Sequence, residues 1–495
     1  MKHLGIEVPV KNVPELDPGF LPLGKFCTAF LKDAKKPLDI AVERAGGEVA
    51  VYKTFIHGTP DMAEADLYYV DRIIKMLLWM KGGFKVCLSG DQAVYEAMKA
   101  TYRVGGARAF DADFMSNVYE KPFEVVYCDQ VPAEKSNPQA VGRHLGGCRI
   151  GFDAGGSDRK VSAVIDGEPV FSEEVVWFPK TTSDPDYHYE GIVSALKAAA
   201  EHMPRVDAVG VSSAGIYIEN RTMNASLFLK VSKEDFDAKV KDIYIRAIRD
   251  TFGDVPYVVA NDGDVSALAG AMNLGENSIL GIAMGTSEAV GYVDSDGCIT
   301  GWLNELAFAP VDVSPNAMED EWSGDIGCGV KYFSQDSVIK LAPAAGISLS
   351  ADLSPAEKLK EVQKLMDQGG SPAEAIYRSI GVYLGHSLAL YHHFYGFKHV
   401  LLLGRVMSGR GGDIILDTCK KVLADEYPEV AGLMNPTLPD EKARRVGQSV
   451  AAASLPELGR CGPEHEEAYR LPGGFQYARL LRRSRRLRRR LPPPL

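Results

Sequence analysis

The sequence is short of several features, and each shortage narrows what the protein can be. Its eight cysteines, at positions 27, 87, 128, 148, 298, 328, 419 and 461, are scattered through 495 residues. They form no CxxC pair and no cluster of the kind that frames a disulfide scaffold, so they read as reduced thiols in a cytoplasmic setting. No apolar run is long enough to cross a bilayer, and the opening MKHLGIEVPVKNVPELDPGF lacks the charged head and apolar stretch of a signal peptide. Positive charge is in deficit, with 55 Lys and Arg against 66 Asp and Glu and a formal net charge of -11. That balance argues against nucleic-acid binding by the body of the protein.

What is present is the makeup of an ordinary globular chain, 46% hydrophobic and 24% charged. Its length suggests roughly two to four domain-sized units. In residues 1–145 strand-like runs at 48–56, 85–90 and 123–129 alternate with helix-like segments at 61–80 and 91–103, which predicts a small α/β region. A polar, breaker-rich stretch at 131–147 reads as a linker. From Cys148 three short strands follow closely (CRIGFDAG, KVSAVID, EPVFSEEVV), then a helix, a strand (DAVGVSSAG), a helix over 234–251 and a strand (PYVVAND). After one more helix a three-strand pattern recurs in SILGIAMG, AVGYVDS and GCITGWL, and a later strand, KHVLLLGR, runs into a glycine-rich turn. Two successive units of this kind predict a duplicated architecture with a cleft between halves; a single large mixed α/β domain is the alternative. The tail from 459 ends in an arginine run and a proline run and has no pattern that buries a core, so it is expected to be disordered.

Four segments converge on the predicted cleft. In GFDAGGSDRK a strand runs into Gly155, Gly156 and Ser157, where backbone N–H groups can approach phosphate oxygens without an intervening Cβ, and Asp153 is placed to hold Mg²⁺ through water. In GIAMGTSEAVGYV, Gly285 and Thr286 offer donors to the distal phosphates. In LLLGRVMSGRGG, Gly404, Gly409, Gly411 and Gly412 leave bare backbone for adenine and ribose, with Arg405 or Arg410 beside them. Each of these is also compatible with an ordinary turn. In VVANDGDVSALAG a strand ends at Asn261-Asp262 before a helix. Phosphoryl transfer to an alcohol needs a base for the hydroxyl proton, a role that suits Asp262, with Asn261 orienting the alcohol. A helix-capping role for Asp262 is the alternative.

Together these segments resemble the ROK family of bacterial sugar kinases and sugar-sensing repressors, within the hexokinase, heat-shock-protein and actin superfamily. FDAGGSDRK is similar to that family's first phosphate motif, which includes Lys160; AMGTSEAVGYV is similar to the second; and NDGDVSALAG resembles the segment bearing the catalytic aspartate. VGVSSAGIYIENRTMNASL resembles the sugar-side loop with its asparagine, here Asn224. The resemblance spans roughly 148–456. It implies a duplicated actin-like (ribonuclease H-like) α/β fold with an additional N-terminal α/β region, and use of ATP and Mg²⁺. Its lobes are expected at 146–275 and 276–458. NELAFAPVD keeps the sugar-contacting glutamate as Glu305 but has Phe308 where the family has a histidine, and Cys328 stands alone where the family has a zinc-binding cluster, so no zinc is expected.

The expectation is therefore a cytoplasmic, ATP-dependent sugar kinase whose partners are a sugar and ATP, with no membrane and with a homodimer compatible. A non-catalytic sugar or nucleotide sensor is the alternative, and a scaffold using a degenerate actin-like fold is a third. Residues 1–145 contain several strands and no compact basic recognition helix, which counts against the DNA-binding form of the sensor.

Overall fold

The computed structural model describes residues 1–136, 141–439 and 447–458. The arginine-rich tail lies outside the described residues, as do the four positions 137–140 of the linker. A two-residue hairpin, β1 (Lys2–His3) and β2 (Ile6–Glu7), leads into helix α1 (Leu23–Leu31). Strands β3 (Lys36–Glu43), β4 (Val49–Ile56), β5 (Lys85–Ser89) and β6 (Glu124–Tyr127) form a sheet of order β4-β3-β5-β6. Helices α2 (Ala63–Lys81), α3 (Gln92–Thr101) and α4 (Ala109–Tyr119) complete the region. The alternation read from sequence marked every one of these strands but β3 and β1–β2. In β3, Leu38, Ile40 and Val42 face the main core while Ala41 faces a smaller one, so both faces are buried and the polar alternation is blurred.

The first lobe is built on β7 (Cys148–Ala154), β8 (Asp158–Ile165), β9 (Glu168–Val176), β10 (Ala208–Ser213) and β13 (Tyr257–Asn261), in the order β13-β10-β7-β8-β9. A ribbon of β11 (Ile216–Ile218) and β12 (Arg221–Asn224) leaves the sheet, and α5 (Pro185–Ala200), α6 (Lys233–Asp235) and α7 (Ile243–Phe252) accompany it. The helix expected over 234–251 is interrupted by a π turn at Phe236–Val240. Helix α8 (Asp262–Leu274) leads to the second sheet: β14 (Ile279–Met284), β15 (Glu288–Val293), β16 (His399–Leu403) and β17 (Asn435–Thr437), ordered β15-β14-β16-β17. In both sheets the leading strand, β7 or β14, has an antiparallel hairpin partner on one side and parallel strands on the other. The duplication expected from sequence is thus present in strand order.

The third strand expected in the second lobe, GCITGWL, does not form. Apart from one bridge between Val293 and Ile299, this stretch leaves the sheet. Its Ile299 N–H donates to the Val141 carbonyl at 3.1 Å, and Trp302 stacks on Tyr292. The remaining helices are α9 (Gln335–Leu341), α10 (Pro355–Asp367), α11 (Ser371–Tyr395), α12 (Gly409–Glu426), α13 (Pro428–Ala431) and α14 (Gln448–Ala453). Although the sequence boundaries put 276–458 in the second lobe, α14 lies against the first sheet. A Cβ on Gly151 or Gly210 would come within 1.7 Å of the Ser449 or Ala452 carbonyl oxygen, so the helix sits directly on bare backbone of β7 and β10.

Beyond the small cluster of Ala41, Cys87 and Val131, the N-terminal region packs into a core that it shares with the second lobe. Phe20, Phe26, Trp79 and Met115 share one continuous core with Leu280, Tyr332, Tyr383 and Leu402 of the second lobe. Residues 21–23 pair with 311–313, through Leu23 N–H to the Val311 carbonyl and Val313 N–H to the Leu21 carbonyl, both 2.9 Å. Inside this junction lies a buried ionic cluster. Asp325 is ion-paired with Arg72 at 2.8 Å, Lys75 at 2.9 Å and Arg108 at 2.8 Å, while Asp71 also holds Arg72 and Arg108, and Asp111 holds Lys75 at 3.1 Å. Three carboxylates thus face three cations, and breaking such a set is far more costly than its net worth, because an uncompensated buried charge remains. Burial on its own raises the Asp325 carboxyl, but Arg72 and Lys75 outweigh it and hold that group below the usual carboxylate range.

Asp325→Asn is expected to lower the unfolding free energy by about 3–5 kcal/mol in urea titrations. Glu120→Gln, which breaks the exposed pairs with Arg221 and Lys241, should cost no more than about 1 kcal/mol. Equal effects of the two substitutions would contradict the role given to the buried cluster.

Candidate active site

Helix α8 brings the first lobe's carboxylate to the second lobe. Its N-terminus meets β15 backbone to backbone: a Cβ on Gly291 would lie 2.1 Å from the Gly263 carbonyl oxygen. The Asp264 carboxylate fastens the contact by accepting the Tyr292 N–H at 3.0 Å and the Asn304 amide at 2.9 Å. Asn261 is the residue that caps this helix, accepting the Gly263 N–H at 2.7 Å, and its amide donates to the Gly215 carbonyl at 2.7 Å. Asn261 is therefore the N-cap and Asp262 the first helical residue, so the capping role read as the alternative for Asp262 falls to its neighbour. Asn261 ties the loop between β10 and β11 to the helix, a bond that uses the amide expected to orient an alcohol.

Asp153 ends its strand beside Asp262. Its carboxylate accepts the Ser212 hydroxyl at 2.8 Å, and Gln448 of α14 donates to the Ser212 oxygen and to the Asp262 carbonyl, both at 3.0 Å. Burial pushes the Asp153 carboxyl up to about 6, with the Ser212 hydrogen bond opposing and the Asp262 charge adding to the rise. Asp262 is also raised by burial, opposed by the Gly263 N–H and by the charge of Lys180. Glu305 faces the same space: burial, then the charges of Asp262 and Asp264, push it up to about 7. Asp264 stands at about 7 by burial, opposed by its bonds to Tyr292 and Asn304. Burial thus favours the protonated form of Asp153, Asp262, Asp264 and Glu305 alike.

Glu305 owes its position to the N-terminal region. The last turn of α2 leaves carbonyls without helical partners, and Trp79 and Met80 present theirs to the N–H groups of Glu305 and Asn304, both at 2.9 Å. Phe308, where a sugar-contacting histidine was the comparison, sits in an aromatic nest with ring centroids 4.4 Å from Trp79 and 5.6 Å from Phe110. It is a packing residue. Cys328 is buried, with Ser323 and the Asp325 carbonyl nearby, and among the described residues no cluster of His, Cys, Asp and Glu has metal-holding geometry.

The glycine turns divide by role. Gly155, Gly156 and Ser157 form an exposed turn next to Asp153, and Lys160 on the adjoining strand lies 3.6 Å from Asp158 and 3.8 Å from Glu174. In the second turn the Gly285 N–H donates to the Ser287 carbonyl at 3.0 Å, so that donor closes the turn itself; Thr286 follows it at the tip. Gly404 packs on the end of β14, where a Cβ would lie 2.3 Å from the Met284 carbonyl oxygen, which sets the third turn beside the second. Gly411 and Gly412 make room for the Tyr377 ring and the Met407 carbonyl, a packing requirement, whereas Gly409 is open. Arg410 is paired with Glu374, and the Arg405 carbonyl accepts from Gln363 at 2.7 Å. Asn224 is exposed at the end of the β11–β12 ribbon. Sequence reading missed Ser212 and Gln448, whose place at the site depends on α14 crossing between lobes. It also missed Lys180, although the PKTTSD turn after the third strand marks where a side chain can return to the hairpin.

No protein-family model matches the chain, and no curated protein does. Solved structures similar to it include a ROK hexokinase from Thermus thermophilus, 18% identical, covering 62% of this chain and 97% of that one with a TM-score of 0.48. A ROK family transcriptional regulator, described as a homolog of the E. coli MLC protein, is 15% identical over 63% of this chain and 79% of that one, with a TM-score of 0.49. A ROK family glucokinase from Streptomyces griseus is 20% identical over 62% and 98%, with a TM-score of 0.43. The two-lobed α/β assignment rests on the strand orders above.

The raised carboxyls make stability depend on pH in a definite direction. Glu288, buried with no hydrogen-bond partner on either carboxylate oxygen among the described residues, is pushed up to about 8 by burial and by Glu305. Groups whose folded pKa lies above the unfolded value stabilise the fold when protonated, and that contribution is lost as pH rises through the folded value. His386, pushed down to about 4 by burial, acts in the opposite direction, but only below the ordinary histidine range. Between about pH 6.5 and 8.5 the melting temperature of the nucleotide-free chain should therefore fall, and Glu288→Gln should make the fall shallower. A flat or rising profile measured by scanning calorimetry would contradict these assignments.

Proposed function

We propose that this chain is an ATP-dependent sugar kinase, transferring the terminal phosphate of ATP to a sugar hydroxyl. The observation that carries the reading is Asp262, half-buried at the first turn of α8 behind the Asn261 cap, its carbonyl tied through Gln448 to the Ser212 hydroxyl that holds Asp153. A carboxylate so placed accepts the proton of an attacking alcohol, and its raised pKa improves it as a base near neutral pH. Glu305, on the second lobe's side of the same space, accepts hydroxyl protons of the sugar and fixes which hydroxyl faces Asp262. The turn at Gly155–Ser157 supplies N–H donors to phosphate oxygens.

Asp153 fits a hydrated Mg²⁺: its carboxylate is fixed by Ser212, borders the phosphate turn, and is left partly protonated until a cation offsets its burial. When bound, the ion neutralises phosphate charge that builds as the terminal group transfers. Gln448, by holding Ser212 and the Asp262 carbonyl together, keeps the metal-side and base-side carboxylates in register.

Two measurements test this reading. Calorimetry should register Mg·ATP binding below millimolar concentrations, and a coupled ADP-release screen across hexoses, N-acetylated amino sugars and polyols should find a turnover substrate. On that substrate, Asp262→Asn should leave the melting temperature and ATP binding in place while lowering turnover by about two to four powers of ten. Full turnover by that variant would remove Asp262 as the base. Sugar binding by the wild type without ADP release would favour the non-catalytic sensor.

A further inference from the structure

Residues 177–181 form a strap across the first phosphate turn. The Trp177 N–H donates to the Ser157 carbonyl at 3.1 Å and its indole N–H to the Gly155 carbonyl at 2.7 Å, so this residue is bonded to both ends of the turn. Beyond it, the Phe178 N–H donates to the Tyr187 hydroxyl at 3.0 Å, and the Pro179 carbonyl lies 2.9 Å from Nε2 of His188. Tyr187 and His188 both belong to α5, so the strap is pinned to the turn at one end and to a helix at the other. The single 3₁₀ turn Pro179–Thr181 between these anchors carries Lys180.

The Lys180 side chain folds back over Gly156. A Cβ on that glycine would lie 2.7 Å from Cε and 2.9 Å from Nζ of Lys180, so the ammonium occupies the space that the missing side chain leaves open. Its charge also acts on Asp262. Lys180 therefore stands between the phosphate turn and the base. Lys160, on the strand that leaves the turn, is by contrast beside Asp158 and Glu174. Among the described residues no carboxylate is ion-paired with Lys180, and the residue is exposed. An unpaired ammonium held over a phosphate turn, in a cleft lined by Asp153, Asp262, Asp264 and Glu305, offsets negative charge that the cleft itself cannot.

We propose that Lys180 is a catalytic residue that binds the terminal phosphate of the nucleoside triphosphate and makes the cleft prefer a triphosphate to a diphosphate. This rests on the kinase reading above. In the step it assists, the sugar hydroxyl oxygen forms a bond to the terminal phosphorus, the hydroxyl proton passes to Asp262, and the bond from that phosphorus to the bridging oxygen breaks with its electron pair left on the diphosphate. During that transfer charge is spread over the three outer oxygens of the transferring group and builds on the departing bridging oxygen, and an ammonium between the turn and Asp262 lies beside both. A fixed cation at that point stabilises the transition state more than the ground state.

The test compares wild type, Lys180→Met and Lys180→Arg by calorimetry with the Mg²⁺ complexes of ADP and of the β,γ-imido analogue of ATP, which needs no sugar. Lys180→Met should weaken the triphosphate analogue about tenfold or more and leave ADP within about twofold, with Lys180→Arg recovering most of the loss. On the acceptor found by the ADP-release screen, turnover of Lys180→Met should fall about a hundredfold or more. Because the residue is exposed, an unchanged melting temperature is expected for both variants. Equal weakening of both nucleotides, or no weakening, would overturn the role of Lys180 and leave the kinase reading in place. A wild type that binds neither nucleotide would instead overturn the kinase reading itself.

Discussion

The carboxylate of Asp325, buried against Arg72, Lys75 and Arg108, is the fixed point on which the substrate side of the cleft depends. It joins α2 of the N-terminal region to the irregular stretch between β15 and α9. With that junction made, the free carbonyls at the end of α2 receive Asn304 and Glu305, and Asn304 in turn holds Asp264. Asp264 fastens α8 to β15, and α8 presents Asp262. A continuous set of hydrogen bonds and ion pairs thus runs from the N-terminal region to the proposed base.

The N-terminal region is accordingly part of the body that carries the candidate site and not an appended module. It supplies Trp79, Phe110 and Phe114, which close around Phe308, and this explains why an aromatic stands where a sugar-contacting histidine was the point of comparison. A histidine there would bring a polar ring into an apolar nest without a partner, at a cost of about 1–3 kcal/mol. The loop that carries Asp325 and Cys328 is braced by cations and rings contributed from residues 20–120. The same loop no longer offers a third strand to the second sheet, because Ile299 pairs with Val141 and the chain then turns toward α2.

Much of this was legible in the chain's local chemistry. The hairpin of β7 and β8, the Asn261-Asp262 helix start and the repeated strand order follow from period-two alternation, Asp-Gly turns and glycine placement, all of which act over a few residues. The Asp-Gly at 296–297 signals a turn just as the one at 166–167 does, yet only the latter continues into a strand, because the partner that diverts 299–304 lies more than 150 residues away in sequence for Val141 and still farther for Trp79. Gln448 and Ser212 meet at the site only through the crossing of α14, which no periodicity announces. Asn261 and Asp262 show the limit in miniature: sequence placed both at a helix start, but which one caps and which stays available is decided by a 2.7 Å bond.

The central claim is that the carboxylates gathered by this arrangement serve phosphoryl transfer to a sugar. Phosphorus-31 NMR of the full chain with Mg·ATP and a panel of sugars tests it most directly, since it identifies where the terminal phosphate goes. The account predicts a phosphomonoester resonance that grows in step with the ADP signals and requires a particular sugar. ATP signals that persist unchanged with every sugar, or that decay only to inorganic phosphate, would contradict it.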